Sequence, residues 1–396
     1  MPYMAIIQPT EIYRMKPNIT ETLPANLICF SHLRWDFVYQ RPQHLLRRFS
    51  QATTVWFFEE PVFDAQVQNY LSIRTDSPTL NIVVPHLLQG LSEEQIILAQ
   101  EKLLKQFVTN IDLNDCLFWY YTPMALKFSS GLKPRFVVFD CMDELSAFKF
   151  APKEIVDLEK KLMETADVVF TGGYSLYEAK KHRHTNIYPF PSGIEKEHFS
   201  KARTKLPQPA DQVSIEGPKI GFYGVIDERF DIDLIREMAT ARPDWHFMLI
   251  GPVVKIDQGS LPKNANIHYL GQKSYKDLPN YLASWDVAMI PFLLNESTQF
   301  ISPTKTPEYL SAGVPVVSTP ITDVINPYGI EKLVHICEDS AGFIKAIESE
   351  LHKSCPKAWL EQVDQFLKGV SWDITYKAMN TKICNTMNNQ KISIAS

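Results

Sequence analysis

The stretch from Ser302 to Thr319 constrains the fold more than any other part of the chain. Ser302 and Thr306 are candidate helix N-caps, and Pro307 fits only in a first helical turn, where its missing N–H would have had no partner. Gly313 ends that helix and Pro315 blocks its continuation. Val314 to Val317 then reads as a strand apolar on both faces, the mark of a parallel sheet covered by helices. Lys305 and Glu308 stand three apart and so share one side of the helix near its start. A cation beside free backbone N–H groups suits a phosphate, and a carboxylate one turn on can accept from sugar hydroxyls. Together they point to a nucleotide diphosphate.

The same strand–loop–helix alternation runs through the rest of the chain. Leu27–Ser31, Val55–Phe58, Ile82–Val84, Leu117–Tyr121, Phe136–Phe139 and Asp167–Phe170 read as strands, with a capping box at Ser92–Gln95 opening one of the intervening helices. A polar, proline-bearing segment from Ser200 to Pro218 interrupts the series. It restarts at Lys219–Tyr223 and continues through Phe247–Pro252, Ile267–Gln272, Val287–Phe292, Val314–Val317 and Leu333–Ile336. At 396 residues the chain is long enough for two α/β cores. The expected organisation is a Rossmann-like domain over 1–205, a second over 217–370, and a final helix from Ser371, running over 371–396 and crossing back to the first domain with a frayed tail from Asn385.

A net charge of −5 gives no electrostatic case for nucleic acid. Apolar runs such as Val287–Leu294, which Pro291 interrupts, fall short of a membrane span. Met1–Tyr13 lacks the basic and apolar regions of a leader, and the six cysteines show no metal-ligand spacing. A cytoplasmic protein follows, at most peripheral at the inner face of the membrane through the basic run Lys180–His184.

The carboxyl ends of the strands are where an open α/β sheet binds ligands. In the first half they deliver His32, Arg34, Trp35 and Asp36 after one strand, and Asp140, Asp143 and Glu144 after another. An exposed Trp35 with Arg34 and Asp36 would suit a sugar acceptor; the alternative is a capped loop with Trp35 folded into the core. Asp140, which leaves its strand first, is the expected acid–base group, with Asp143 in reserve and His32 as the third possibility. Gly172 and Gly173 would let backbone approach a ligand at a helix start. Asp231-Ile232-Asp233 spells a DxD, yet it sits where a helix begins and reads as an N-cap rather than a metal site.

The run Ser302-Pro303-Thr304-Lys305-Thr306-Pro307-Glu308-Tyr309-Leu310 through Gly313-Val314-Pro315-Val316-Val317 resembles the donor-binding motif of GT-B glycosyltransferases of family 4. The loop Ser31-His32-Leu33-Arg34-Trp35-Asp36 resembles the opening of bacterial teichuronic-acid-type transferases. The resemblance implies two doubly wound domains facing across a cleft and transfer of a sugar from a nucleotide diphosphate sugar, UDP-linked, to a carbohydrate or lipid-linked acceptor, with retention and without a bound metal or other cofactor. It assigns donor binding to Gly224, Arg229, Gln272, Tyr275, Thr304, Lys305 and Glu308, with Tyr275 covering the base. The family's His near the reacting sugar is replaced by Asp140-Cys141-Met142-Asp143, and its first motif acid falls on Phe300, leaving Glu296 as its substitute. A nucleotide-sugar epimerase on the same fold, or a sugar-nucleotide-binding protein without catalysis, are the rival readings.

Overall fold

The computed structural model describes residues 22–353 and 357–395. Met1–Tyr13 and Cys355 lie outside the described residues. Two sheets carry the chain. The first holds β1 (Asn26–Phe30), β2 (Thr54–Phe58), β3 (Val62–Ala65), β4 (Tyr70–Ser77), β5 (Leu80–Leu88), β6 (Cys116–Tyr120), β7 (Phe136–Cys141), β8 (Val168–Thr171) and β9 (Ile187–Pro189). Their order is β3-β5-β2-β1-β6-β7-β8-β9, parallel throughout, with β4 antiparallel to β5. The second holds β10 (Lys219–Tyr223), β11 (His246–Ile250), β12 (Ile267–Gly271), β13 (Val287–Ile290), β14 (Val316–Ser318) and β15 (Val334–Ile336), in the order β12-β11-β10-β13-β14-β15 and all parallel.

These strands form because both of their faces are covered. β6 (Cys-Leu-Phe-Trp-Tyr) and β10 (Lys-Ile-Gly-Phe-Tyr) are buried along their whole length, so uninterrupted apolar sequence is what a parallel interior strand requires. β4 behaves differently. It is nowhere buried, pairs through one side only, and its sequence Tyr-Leu-Ser-Ile-Arg-Thr-Asp-Ser lacks that apolar continuity, which is why the sequence reading passes over it and sees only the middle of β5.

In each sheet the order reverses beside the first strand: β1 lies between β2 and β6, and β10 between β11 and β13. Crevices open at the carboxyl ends of such reversal points. The loops that follow β1 and β10 are therefore the ones the topology places at a ligand site.

Helix Trp372–Ala395 returns to the first sheet. Trp372, Met379, Ile383, Cys384 and Met387 join the core that contains Leu27, Phe49 and Trp119. The helix enters over Gly193, where an added Cβ would stand 2.5 Å from the Trp372 amide nitrogen. The segment from Asn385 is not a frayed tail but the last turns of this helix: Met387 is buried in the core and Thr386 Oγ1 accepts from Asn186 Nδ2 at 3.0 Å.

Candidate active site

The carboxyl edges of the two sheets face one cleft of about 410 Å³, lined from the first half by Tyr39, Arg41, Asp143 and Gly172 and from the second by Gly224, Arg229, Lys305 and Glu308.

On the second edge, helix Lys305–Ser311 is pinned to the end of β10 by two tyrosines. The Tyr223 amide donates to Tyr309 Oη at 3.0 Å, and Tyr223 Oη donates to Glu308 Oε2 at 2.5 Å. This brings Lys305 over Gly224, where φ is +148° and an added Cβ would meet Lys305 Cε at 2.2 Å. The glycine is thus needed twice, for its backbone angle and for the lysine's path. Burial lowers the Lys305 ammonium's pKa, with Arg229 pushing the same way and Glu308 opposing. Glu308 is only 5% exposed, and burial holds its carboxyl well above the usual carboxylate range, against the Tyr223 hydrogen bond and the Lys305 charge. A cation and a carboxylate poorly solvated and aimed at one space are prepared for a polar ligand.

Arg229 is held by Asp227, whose carboxylate accepts from its Nε at 3.0 Å and its Nη2 at 2.6 Å. The guanidinium also lies against the Phe148 ring of the first half, 5.2 Å from its centroid, and near Phe292 at 6.0 Å. It is a fixed cation at the cleft with its orientation already set. Thr304 precedes the helix and lines the cleft, but no hydroxyl cap is formed there. Asp231 Oδ1 accepts from the Leu234 amide at 2.9 Å as the cap of helix Ile232–Ala241.

Two other residues of this edge, Tyr275 and Gln272, line the cleft as expected but are already engaged by protein groups. Tyr275 stacks on Tyr39 at 4.6 Å and on His198 at 4.7 Å, so its ring has no face left for a base; its buried hydroxyl has no hydrogen-bond partner. Gln272 Nε2 donates to the Phe37 carbonyl and ties the two halves together at the rim. Glu296 is exposed and lies outside the cleft lining, and Phe300 packs against the first half's core instead.

On the first edge most polar groups are already paired. Trp35 is 4% exposed: its amide donates to Glu59 Oε1 at 2.8 Å, its indole to Asp76 Oδ1 at 3.1 Å, and its ring packs on Phe57. It is a core residue and not an exposed platform. Arg34 donates to Glu59, the Glu60 carbonyl and the Pro61 carbonyl, and is not part of the cleft lining. Asp36 is exposed at the rim and pairs with Arg74 at 2.5 Å. His32 lies outside the lining; burial, with Lys255 next, lowers its pKa to about 4, so its imidazole is neutral.

The two acids after β7 differ sharply. Asp140 is 0% exposed and is gripped by Arg41, whose Nε lies 3.1 and 3.0 Å from its two oxygens and whose Nη2 lies 2.8 Å from Oδ1. Arg41 also donates to the Phe190 carbonyl at 2.7 Å. This pair fastens the first helix, Arg41–Phe49, to β7 and to the residue that follows β9, and leaves Asp140 out of the cleft lining. Asp143 lines the cleft. Burial lifts its pKa to about 6, against the charges of Arg229, Arg41 and Lys305, with Asp227 adding to the rise. Of these two acids, Asp143 is the one at the cleft.

Sequence reasoning missed the residues that hold the site in place. Asp227 was visible two positions from Arg229; Arg41, Tyr223 and Phe148 find their partners only through the fold. Among the described residues there is no cluster of His, Cys, Asp or Glu suited to a metal ion, and no helix long and apolar enough to cross a membrane.

Comparison with known proteins agrees with this arrangement. Residues 217–353 match the family model described as glycosyl transferases group 1. Over 281 residues the chain is 26% identical to the "Putative teichuronic acid biosynthesis glycosyltransferase TuaH" of Bacillus subtilis (strain 168), covering 66% of this chain and 70% of that protein. Among solved structures it is similar to sucrose-phosphate synthase from Thermosynechococcus elongatus, at a TM-score of 0.67 and 13% identity, over 94% of this chain and 100% of the other. It is also similar to the structure titled trehalose-6-phosphate from E. coli bound with UDP-2-fluoro glucose, at 0.64 and 13%, over 93% and 98%. At such identities the structural likeness speaks for the fold. The chain is a glycosyltransferase with the GT-B fold, and residues 217–353 are the part that matches the group 1 model.

Proposed function

We propose that the chain moves a sugar from a UDP-linked donor to a hydroxyl of a carbohydrate or lipid-linked acceptor in envelope polysaccharide synthesis, with retention at the anomeric carbon. One observation carries this reading: in a single cleft Lys305, Arg229 and Glu308 of the second edge face Asp143 of the first. The relative's name supplies the polysaccharide context, and the similar E. coli structure bound with UDP-2-fluoro glucose supports the choice of base.

Lys305 and Arg229 take the diphosphate. As the bond from the anomeric carbon to the phosphate oxygen breaks, negative charge grows on that oxygen, and two prepositioned cations in a poorly hydrated cleft stabilise it. They supply the charge that a metal would otherwise bring, so activity without added metal is expected. Glu308, with one oxygen on Tyr223, turns the other to the ribose hydroxyls. Asp143 orients the acceptor hydroxyl, whose oxygen bonds to the anomeric carbon while its proton leaves for the departing phosphate oxygen or for Asp143. A pKa of about 6 keeps Asp143 ionised at neutral pH yet basic enough for this task. The site lies in a cytoplasmic protein, peripheral to the membrane where the acceptor is lipid-linked.

Incubation with a panel of nucleotide sugars and candidate glycan acceptors tests the reading. Release of UDP that depends on acceptor, and persists in EDTA, is the expected result. Epimerised sugar nucleotide with no acceptor dependence would replace transfer by isomerisation.

A further inference from the structure

Beside the cleft the two halves meet in a contact that neither edge's chemistry uses. Asp323 belongs to the second half, in the short helix after β14. It is 5% exposed, and its Oδ1 accepts from the Ser175 amide at 3.0 Å, in the first turn of helix Tyr174–Lys180 of the first half. The residue at that helix's cap position is Gly173, which has no side chain to offer. An added Cβ on Gly173 would stand 2.1 Å from Asp323 Oδ2 and 2.8 Å from Ser302 Cβ, so the glycine is what admits the carboxylate and the start of the donor segment. The backbone N–H expected to greet a ligand here is instead occupied by an acid from the opposite domain.

The same loop bears on Asp143. Gly172 lies flat on the peptide before it: an added Cβ would be 2.2 Å from the Met142 carbonyl oxygen and 2.8 Å from Met142 Cα. The Gly172 amide donates to the Cys141 carbonyl at 2.9 Å, and Thr171 Oγ1 donates to the Gly173 carbonyl at 3.1 Å. Asp323, Gly173, Gly172, Met142 and Asp143 thus form one contiguous line of contacts from the second domain to the carboxylate of the first.

We propose that Asp323 is a positioning residue, a cap supplied across the cleft that seats the Gly172–Ser175 loop and thereby sets Asp143 in register with Lys305 and Arg229. The inference rests on the reading of Asp143 as the group that meets the acceptor. Asp323 touches neither donor nor acceptor; it acts by fixing where the first edge stands relative to the second. A side-chain oxygen at a helix start is typically worth about 1 kcal/mol, enough to shift a closed–open balance by about fivefold, and the Met142 contact passes that shift to the reacting geometry.

Three variants of the full chain, Asp323→Ala, Asp323→Asn and Gly173→Ala, test this beside Asp143→Asn. Turnover is read with the UDP-sugar and acceptor on which the unaltered enzyme works, binding with UDP alone, and closure as the radius of gyration by X-ray scattering with UDP present. Asp323→Ala should lower kcat about fivefold and enlarge the particle, with UDP affinity within about twofold, because a lost cap is worth about 1 kcal/mol. Asp323→Asn, which keeps an oxygen that can accept from the Ser175 amide, should recover most of kcat. Gly173→Ala should reproduce the loss from the other side of the contact. Unchanged kcat in Asp323→Ala, absence of rescue by Asn, or an equal fall in UDP affinity would each overturn the positioning role. Full turnover in Asp143→Asn would instead remove the Asp143 reading, and the two failures are told apart because only the latter leaves the Asp323 scattering change intact.

Discussion

The two carboxyl edges are built from similar residue types and do opposite things with them. On the second edge Lys305 and Glu308 come from one turn of helix and Arg229 is fixed by Asp227 two positions away, so function is assembled from local sequence. On the first edge the conspicuous charges are bound to one another over long stretches of chain: Arg41 to Asp140, Arg34 to Glu59, Arg47 to Asp76. They shape the wall of the cleft, while Asp143 lines it without a side-chain partner of that kind among the described residues, and Asp36 stands at the rim with Arg74. A buried, mutually satisfied ion pair specifies geometry, whereas a poorly solvated charge facing a cleft awaits a ligand. A charged residue at the right sheet edge is therefore weak evidence for catalysis until its partner is known.

Breaking the buried pair should have the largest effect, and on stability rather than chemistry. Asp140→Ala leaves Arg41 charged and uncompensated, and should cost about 3–5 kcal/mol, measured by denaturant unfolding. An Asp140 variant of normal stability without turnover would return it to the catalytic role and dissolve the contrast between the edges. Asp143→Asn comes next, with kcat lower by about 10²-fold or more and the protein as stable as before. Its pH dependence sharpens the point. Burial raises the Asp143 pKa to about 6, so the carboxylate is protonated below that pH and kcat/KM should fall on the acid side, a limb that is lost in the variant. Lys305→Ala should weaken UDP by about 1.5–3 kcal/mol, the worth of a hydrogen bond to a charged group. The smallest change is Glu308→Gln, about 1 kcal/mol on UDP and almost none on inorganic pyrophosphate, since that carboxylate is assigned to ribose. Isothermal titration of both probes reads it, and equal losses on the two would move Glu308 to the phosphates.

The same contrast explains what could be read without coordinates. The four inner strands of the second sheet, β10, β11, β13 and β14, are legible because each is a short apolar run buried on both faces, and the motif from Ser302 sits inside one helix–strand unit. β4 is not, because an antiparallel edge strand covered through one side needs no apolar continuity. Trp35 could be placed on a loop but not assigned to the core, since Glu59 and Asp76, which receive its two N–H groups, are brought to it by other strands. Tyr275 has the residue type of a base-stacking ring, and only the arrival of Tyr39 from one side and His198 from the other shows that both faces are taken. Asp140 and Asp143 are indistinguishable as letters; Arg41, from the first helix, separates them.

The division of labour between the edges is tested most directly by titrating UDP into Asp143→Asn and Lys305→Ala side by side, in parallel with their turnover. Asp143→Asn should bind UDP as the unaltered protein does while losing turnover, and Lys305→Ala should bind it at least tenfold more weakly, as expected for a lost charged hydrogen bond. Equal weakening in both variants, or a weakened Asp143→Asn beside an unchanged Lys305→Ala, would contradict the account.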